Sequence, residues 1–235
     1  KRLADGAKQA GADAVKFQFF NSHKLWGDDR IKHLELRFAD MEKVHAHCEE
    51  IGIEFMCTPF GVEELLLLKP MVKRIKIASG CIARRPLLEE AAGTGLPVIL
   101  STGMSDMGDI VQALGHLGHA PLTLLHCTSA YPCALEDVNL RAMDALEGLG
   151  HPVGYSDHTN GITVAIAAAA RGAVMIEKHL TLDRGAEGPD HKTSITPREM
   201  QALHLALIEV EAALGTREKR VLDCELLLRT AWRGH

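Results

Sequence analysis

Two histidines in the last third of the chain stand where a metal could be held. The segments Gly154-Tyr-Ser-Asp-His-Thr159, Ile176-Glu-Lys-His179 and Gly188-Pro-Asp-His191 follow one another. His158 and His179 each stand just past a short apolar run, and a helix-like stretch over residues 161–171 separates them. In a parallel (β/α) barrel the C-terminal strand ends converge on one mouth, so two neutral imidazoles there could share a divalent metal. Taken alone, His158 after Asp157 reads first as a turn or capping residue. Asp157 either serves the metal or hydrogen-bonds His158, and the orienting role is preferred. His126, inside a strand run, reads as a hydrogen-bonded core histidine outside the metal site. His45, His47, His116, His119 and His204 fall on polar helix faces or loops and read as solvated.

The elements that must position these residues repeat one unit. Apolar runs recur at residues 14–19, 54–58, 74–78, 97–101, 122–127, 152–156 and 174–179. Helical patterns lie between or after them, such as residues 38–51 ended by Gly52, 86–94 ended by Gly95 and 197–214 ended by Gly215. Strands alternating with helices at roughly 20 to 25 residues per unit predict a parallel sheet. Seven units fall one short of an eight-stranded barrel, and a helical stretch over residues 1–10 leads into the first run. The expectation is an α/β (β/α)8 TIM barrel whose first strand is missing from the sequence, in one domain over residues 1–235.

Barrel chemistry sits at the strand ends, and here every end carries a polar group. In order they are Lys16 and Gln18, Thr58, Lys76 with Ser79, Ser101 with Thr102, Thr128 with Ser129 and Tyr131, Ser156 with Asp157 and His158, then Glu177 with His179. Hydroxyls and glycine-turn amides donate hydrogen bonds and lysines supply charge, so the ring suits a small oxygen-rich anion such as a phosphate. Ser79-Gly80 and Ser101-Thr-Gly103 are the expected cradles. A lysine within a barrel strand is expected to face inward, where an anion meets it, because the strand–helix interface would desolvate it unpaired. Ser101 and Thr102 serve equally well, on sequence alone, as caps of the next helix.

Composition narrows the class. With 46% hydrophobic residues and a formal charge of −5, the chain can bury one large core and carries no basic run with interleaved aromatics, so nucleic acid is not expected as a partner. No apolar segment has membrane length, and a cytoplasmic enzyme is expected. The cysteines at 48, 57, 81, 127, 133 and 224 show no Cys-x-x-Cys spacing and read as reduced, buried thiols.

Longer motifs go further. Gly11-Ala-Asp-Ala-Val-Lys-Phe-Gln18, Lys76-Ile-Ala-Ser-Gly80, Pro97-Val-Ile-Leu-Ser-Thr-Gly-Met104, Leu125-His-Cys-Thr-Ser-Ala-Tyr-Pro132 and Glu136-Asp-Val-Asn-Leu140 join the last-third motifs in order. Together they resemble the sialic acid synthase family, which condenses phosphoenolpyruvate with an N-acetylated hexosamine to make a nine-carbon 2-keto acid. The resemblance implies a divalent ion, Mn2+ or Mg2+, on His158 and His179, and it favours the ligand reading of His158. It implies phosphoenolpyruvate contacts at Lys16, Thr58, Lys76, Ser79, Ser101, Ser129 and Ser156. Sugar contacts are implied at Gln18, Tyr131 and Asp190, with Glu177 near the metal as base or charge stabiliser. Catalytic roles are thus expected for Glu177, Lys76 and His158, and a homodimer is expected.

Departures bear on the acceptor. The family opens with a strand carrying a Glu and an Asn-His pair, and it appends an antifreeze-like domain; neither has a counterpart in this sequence. Cys81-Ile-Ala-Arg-Arg85 stands where the family has acidic and small polar residues. Arg84 and Arg85 either face the mouth and select an anionic acceptor, or point outward at the start of the helix beginning at Pro86. Two other classes stay open: a barrel aldolase with a Schiff base on Lys76 or a two-histidine metal hydrolase, and a non-catalytic barrel that keeps the anion site.

Overall fold

The runs rich in Val, Ile, Leu and Phe become strands because both of their faces are covered, the inner by opposing strands and the outer by helices. In the computed structural model, which describes residues 1–29 and 31–233, they are β1 (Ala14–Phe19), β2 (Glu54–Pro59), β3 (Ile75–Ile77), β4 (Val98–Ser101), β5 (Leu122–His126), β6 (Val153–Asp157) and β7 (Ile176–Lys178). The helices are α1 (Arg2–Gln9), α2 (Ser22–Trp26), α3 (Phe38–Ile51), α4 (Val62–Leu68), α5 (Arg85–Gly93), α6 (Met107–Leu117), α7 (Ala142–Glu147), α8 (Thr163–Ala170), α9 (Pro197–Leu214) and α10 (Leu226–Arg233). Local chemistry sets several ends. Gly52 closes α3 with φ 69°. Asp106 with Asp109 caps α6, and Thr196 with Glu199 caps α9 ahead of Pro197.

β1 pairs with β2, and β3 to β7 pair in chain order, every pair parallel. Alternate residues such as Val15, Phe55, Ile77, Leu100, Leu124 and Tyr155 join the main core, to which the helices add Leu65, Leu88, Ile110 and Met143. The opposite parity builds a second cluster of Met56, Ile99 and Leu125 with Ala14 and Met175 packed on it. Its members come from β1, β2, β4, β5 and the approach to β7. Residues from the first and last strands meet only if the sheet curls, so these strands form part of a barrel.

The seven expected strands are present as a curled, all-parallel part-barrel. Among the described residues β1 pairs only with β2 and β7 only with β6. Between them runs a cleft of about 910 Å3, lined by residues 14–18 and 174–180 and flanked by Leu3 and Ala7 of α1 and Leu207 and Val210 of α9. The cysteines are free, but Cys224 is exposed rather than buried. It lies in a stretch, residues 211–233, that has no buried side chain. No helix among the described residues is long and apolar enough to cross a membrane.

Candidate active site

Side-chain alternation makes the site. Along each strand the residue two positions beyond the apolar cluster faces the same interior, one layer nearer the C-terminal mouth. Ala14 is thus followed by Lys16 and Gln18, Met56 by Thr58, Ile99 by Ser101, Leu125 by Cys127, and Met175 by Glu177 and His179. A plug of hydrocarbon floors a layer of polar groups. Gly154 completes the floor by absence: a Cβ there would meet Leu125 Cδ2 and the Met175 carbonyl at 2.6 Å.

Glu177 is the hub of the polar layer. Its carboxylate lies 3.6 Å from Lys16 Nζ and 3.6 Å from Lys76 Nζ, and it accepts a 2.8 Å hydrogen bond from Ser156 Oγ. Burial pushes the Glu177 carboxyl up, but the two ammonium groups and the serine outweigh it and hold it at about 2. Lys76, 3% exposed, also donates to Ser101 Oγ at 2.6 Å. Burial lowers its pKa, and Glu177 pushes it back up. Two cations share one carboxylate, so the layer keeps an excess positive charge for an incoming anion.

Beside the lysines lies a cradle. Ser79 Oγ accepts from the Gly103 amide at 3.0 Å and sits 3.2 Å from Cys127 Sγ. A Cβ on Gly103 would strike Ser129 Oγ and come within 3.0 Å of Cys127 Sγ and Ser79 Oγ, so only glycine lets these groups converge. Across the interior, Thr58 is buried with its Oγ1 unpartnered, a donor turned toward the same space by its strand parity.

The rim carries the histidines. His158 and His179 have ring centroids 5.6 Å apart, and the Tyr131 ring covers both at 4.3 and 5.8 Å. His158 Nδ1 bonds the Thr128 carbonyl at 2.7 Å. A carbonyl only accepts, so Nδ1 carries the hydrogen and Nε2 keeps its lone pair toward the interior, 3.4 Å from Ser156 Oγ. Burial lowers both rings, His179 to about 4, which keeps them neutral near pH 7. Asp190 Oδ2 lies 3.7 Å from His179 Nδ1. Gln18 lines the cleft with Lys16, Glu177 and His179.

Every residue singled out for substrate or metal therefore lies on this one mouth, but several neighbours need correction. Asp157 makes no hydrogen bond to His158; it is turned outward and bonds Lys178, Thr159 and Tyr155. Arg84 donates to the Phe60 carbonyl, and Arg85 pairs with Glu89 on its own helix, so neither presents its charge to the interior. Ser101 and Thr102 are not caps: Asp106 caps α6, while Thr102 donates to Leu125 O. His47 is not solvated but bonds Asp5 at 2.6 Å. His126 bonds Val138 O, as a core histidine should. Cys127 is the residue missed; it shares the parity of Leu125 on β5, and that parity was the available signal.

The rim's donor set bears on what ion it could hold. No group of three His, Cys, Asp or Glu side chains is placed to hold a metal among the described residues. His158 and His179, two neutral imidazoles on neighbouring strand ends, are the residues that would hold a divalent ion, and two protein ligands alone would not make a structural zinc site.

The fold and much of the sequence are shared with known proteins. The sequence profile of the NeuB family matches residues 3–219. The chain belongs to that family. A relative from Legionella pneumophila, an N,N'-diacetyllegionaminic acid synthase, is 40% identical over 257 residues, covering 97% of this chain and 72% of its own. An uncharacterised Methanocaldococcus jannaschii protein is 44% identical over 235 residues, covering 96% and 70%. The crystal structure of N-acetylneuraminic acid synthetase from Leptospira borgpetersenii in complex with citrate superposes with a TM-score of 0.92 at 35% identity, covering 99% of this chain and 86% of the other.

Proposed function

We propose that this NeuB-family chain condenses phosphoenolpyruvate with an N-acetylated hexosamine to give a nonulosonic acid and phosphate. The observation that carries the reading is the pair of lysines sharing the Glu177 carboxylate beside a hydroxyl cradle and a rim of two neutral histidines. The Legionella relative's product is a nonulosonic acid, and the Leptospira structure holds citrate, a polycarboxylate.

In this reading Lys16 and Lys76 bind the anionic groups of phosphoenolpyruvate, with Thr58, Ser79, Ser101, Ser129, Ser156 and the Gly103 amide as hydrogen-bond partners. Gln18, Tyr131 and Asp190 face the sugar. A divalent ion held by His158 and His179, when bound, supplies Lewis-acid polarisation of the acceptor aldehyde. C3 of the enol then bonds to the aldehyde carbon, and the aldehyde oxygen takes up a proton. The electron pair of the enol double bond is spent in that bond, leaving C2 cationic. Water adds at C2 and loses a proton, and phosphate departs with the bridging oxygen to leave the 2-keto acid. A carboxyl held at about 2 is a weak base, so Glu177 acts by stabilising positive charge at C2 and by orienting both lysines. The cleft between β1 and β7 is the position an eighth strand takes in a closed (β/α)8 barrel.

The test is phosphate release across a panel of N-acyl hexosamines. Phosphoenolpyruvate labelled with 18O at the bridging position should yield labelled phosphate. His158→Ala with His179→Ala should abolish metal-dependent turnover with the circular dichroism spectrum intact. Full activity of that double variant in chelated buffer overturns the assignment. The buried Lys76 also favours a Schiff-base reading, and borohydride trapping with pyruvate would reveal it.

A further inference from the structure

Behind the site, on the outward face of β6 and β7, lies an ion pair that the chemistry above does not use. Lys178 Nζ donates to Asp157 Oδ2 at 2.7 Å, and the two side chains are 1% and 0% exposed. They are directly opposed in the parallel register, Asp157 with Lys178, next to the pair Ser156 with Glu177. Each charged residue is thus flanked by site residues: Ser156 and His158 on one strand, Glu177 and His179 on the other.

We propose that Asp157 and Lys178 are positioning residues that fix the spacing of His158 and His179. The inference rests on the two-histidine reading of the rim and deepens it. β7 needs such a fixture. It is three residues long and pairs only with β6 among the described residues, and beyond it a single bridge joins Leu180 to Ile195, whose N–H donates to His179 O at 2.9 Å. Apolar contacts along a strand tolerate sliding. A buried ion pair does not, because a slip leaves both charges desolvated and unpartnered. A slip of one residue would also turn Glu177 and His179 out of the interior, and a slip of two would carry His179 about 6.6 Å along the strand.

The same pair winds the turn that presents His158. Asp157 Oδ1 accepts from Thr159 N at 2.9 Å and from Thr159 Oγ1 at 2.8 Å, while Lys178 Nζ also donates to Thr159 O at 2.5 Å. The residues before and after His158 are both tied to Lys178. With its backbone held from behind and Nδ1 held by Thr128 O, the ring has one direction left for Nε2, into the interior.

The test has two readouts. In metal-free protein with labelled histidines, the nuclear Overhauser contact between the His158 and His179 rings should weaken in Lys178→Met and return in Lys178→Arg. Mn2+ affinity, followed by the electron paramagnetic resonance signal of the free ion, should fall tenfold or more in Lys178→Met. The control is Glu54→Gln with Arg74→Met, which removes a bidentate ion pair at the opposite ends of β2 and β3 and should leave both readouts within twofold of wild type. If Lys178→Met fails to fold, Asp157→Asn, which keeps the shape and can still accept from Thr159, is read the same way. An unchanged ring contact in a folded variant overturns the proposal. Absence of Mn2+ uptake by the wild type would instead strike the two-histidine reading, leaving the ring contact to decide this one.

Discussion

Two layers inside the part-barrel lie one strand step apart and behave as opposites. The floor of Ala14, Met56, Ile99, Leu125 and Met175 is hydrocarbon, bordered on one side by the cleft between β1 and β7, and the layer above it holds Lys16, Lys76, Ser101, Cys127, Ser156 and Glu177. Each strand changes character within two residues. An apolar floor underlies the polar layer, which water reaches from the mouth and along the cleft between β1 and β7. Lysine–carboxylate contacts at 3.6 Å hold Glu177 at about 2. The floor contributes stability, and the layer above it carries the charge.

The largest test separates the layers by stability. Leu125 is fully buried, and Leu125→Ala should cost about 2 to 5 kcal/mol of unfolding free energy by chemical denaturation. The anion affinity of the folded fraction should stay near wild type. A variant that kept its stability would mean the floor is loosely packed.

Next comes the polar layer. Lys76→Ala should weaken phosphoenolpyruvate binding by roughly ten- to a hundredfold, about 1.5 to 3 kcal/mol, because it removes one charged partner of a buried anion. The Michaelis constant for the sugar should move far less. Equal losses for both substrates would make Lys76 a structural residue like those of the floor.

The mildest expected effect is on pH. His179 is lowered to about 4 when folded, against an ordinary value of 6.5, so the unfolded chain binds more protons between those values. Stability should fall as pH drops from about 6.5 to about 4. Glu177, lowered from 4.5 to about 2, adds a loss in the same direction as pH falls through that lower window. Unfolding midpoints measured from pH 7 to 2 check this, and His179→Gln should flatten the upper part of the curve. A flat wild-type profile would contradict the burial of the histidine.

Much of this could be read from the chain. The period of strands and helices located all seven strands; residues 14–19 and 38–51 coincide with β1 and α3. Polar residues at strand ends identified the mouth because a parallel sheet has only one such end. The rest depended on information carried outside any single segment. Asp157 and Lys178 are 21 residues apart, and only register brings them together. His47 looks solvated on its helix until Asp5 of α1 packs against it. Arg84 reads as a free charge until the Phe60 carbonyl is placed beside it. Cys127 looked like packing because its residue type is usually buried, whereas strand parity turns it toward the cradle. Counting units gave seven strands, one short of a closed eight-stranded barrel, and seven strands are what the structure shows among the described residues.

Tyr131 gives the mouth an optical property. The chain has two tyrosines and two tryptophans. Tyr155 is sealed in the core and Trp232 stands 84% exposed on α10, far along the chain from any strand end. Tyr131 is half-exposed, lies against both histidine rings, and has its phenol pushed up to about 12 by burial and neighbouring negative charge. Whatever enters between that ring and the histidines changes the surroundings of one chromophore whose only other tyrosine is shielded. The site thus contains its own absorbance gauge, readable by difference spectroscopy without a label.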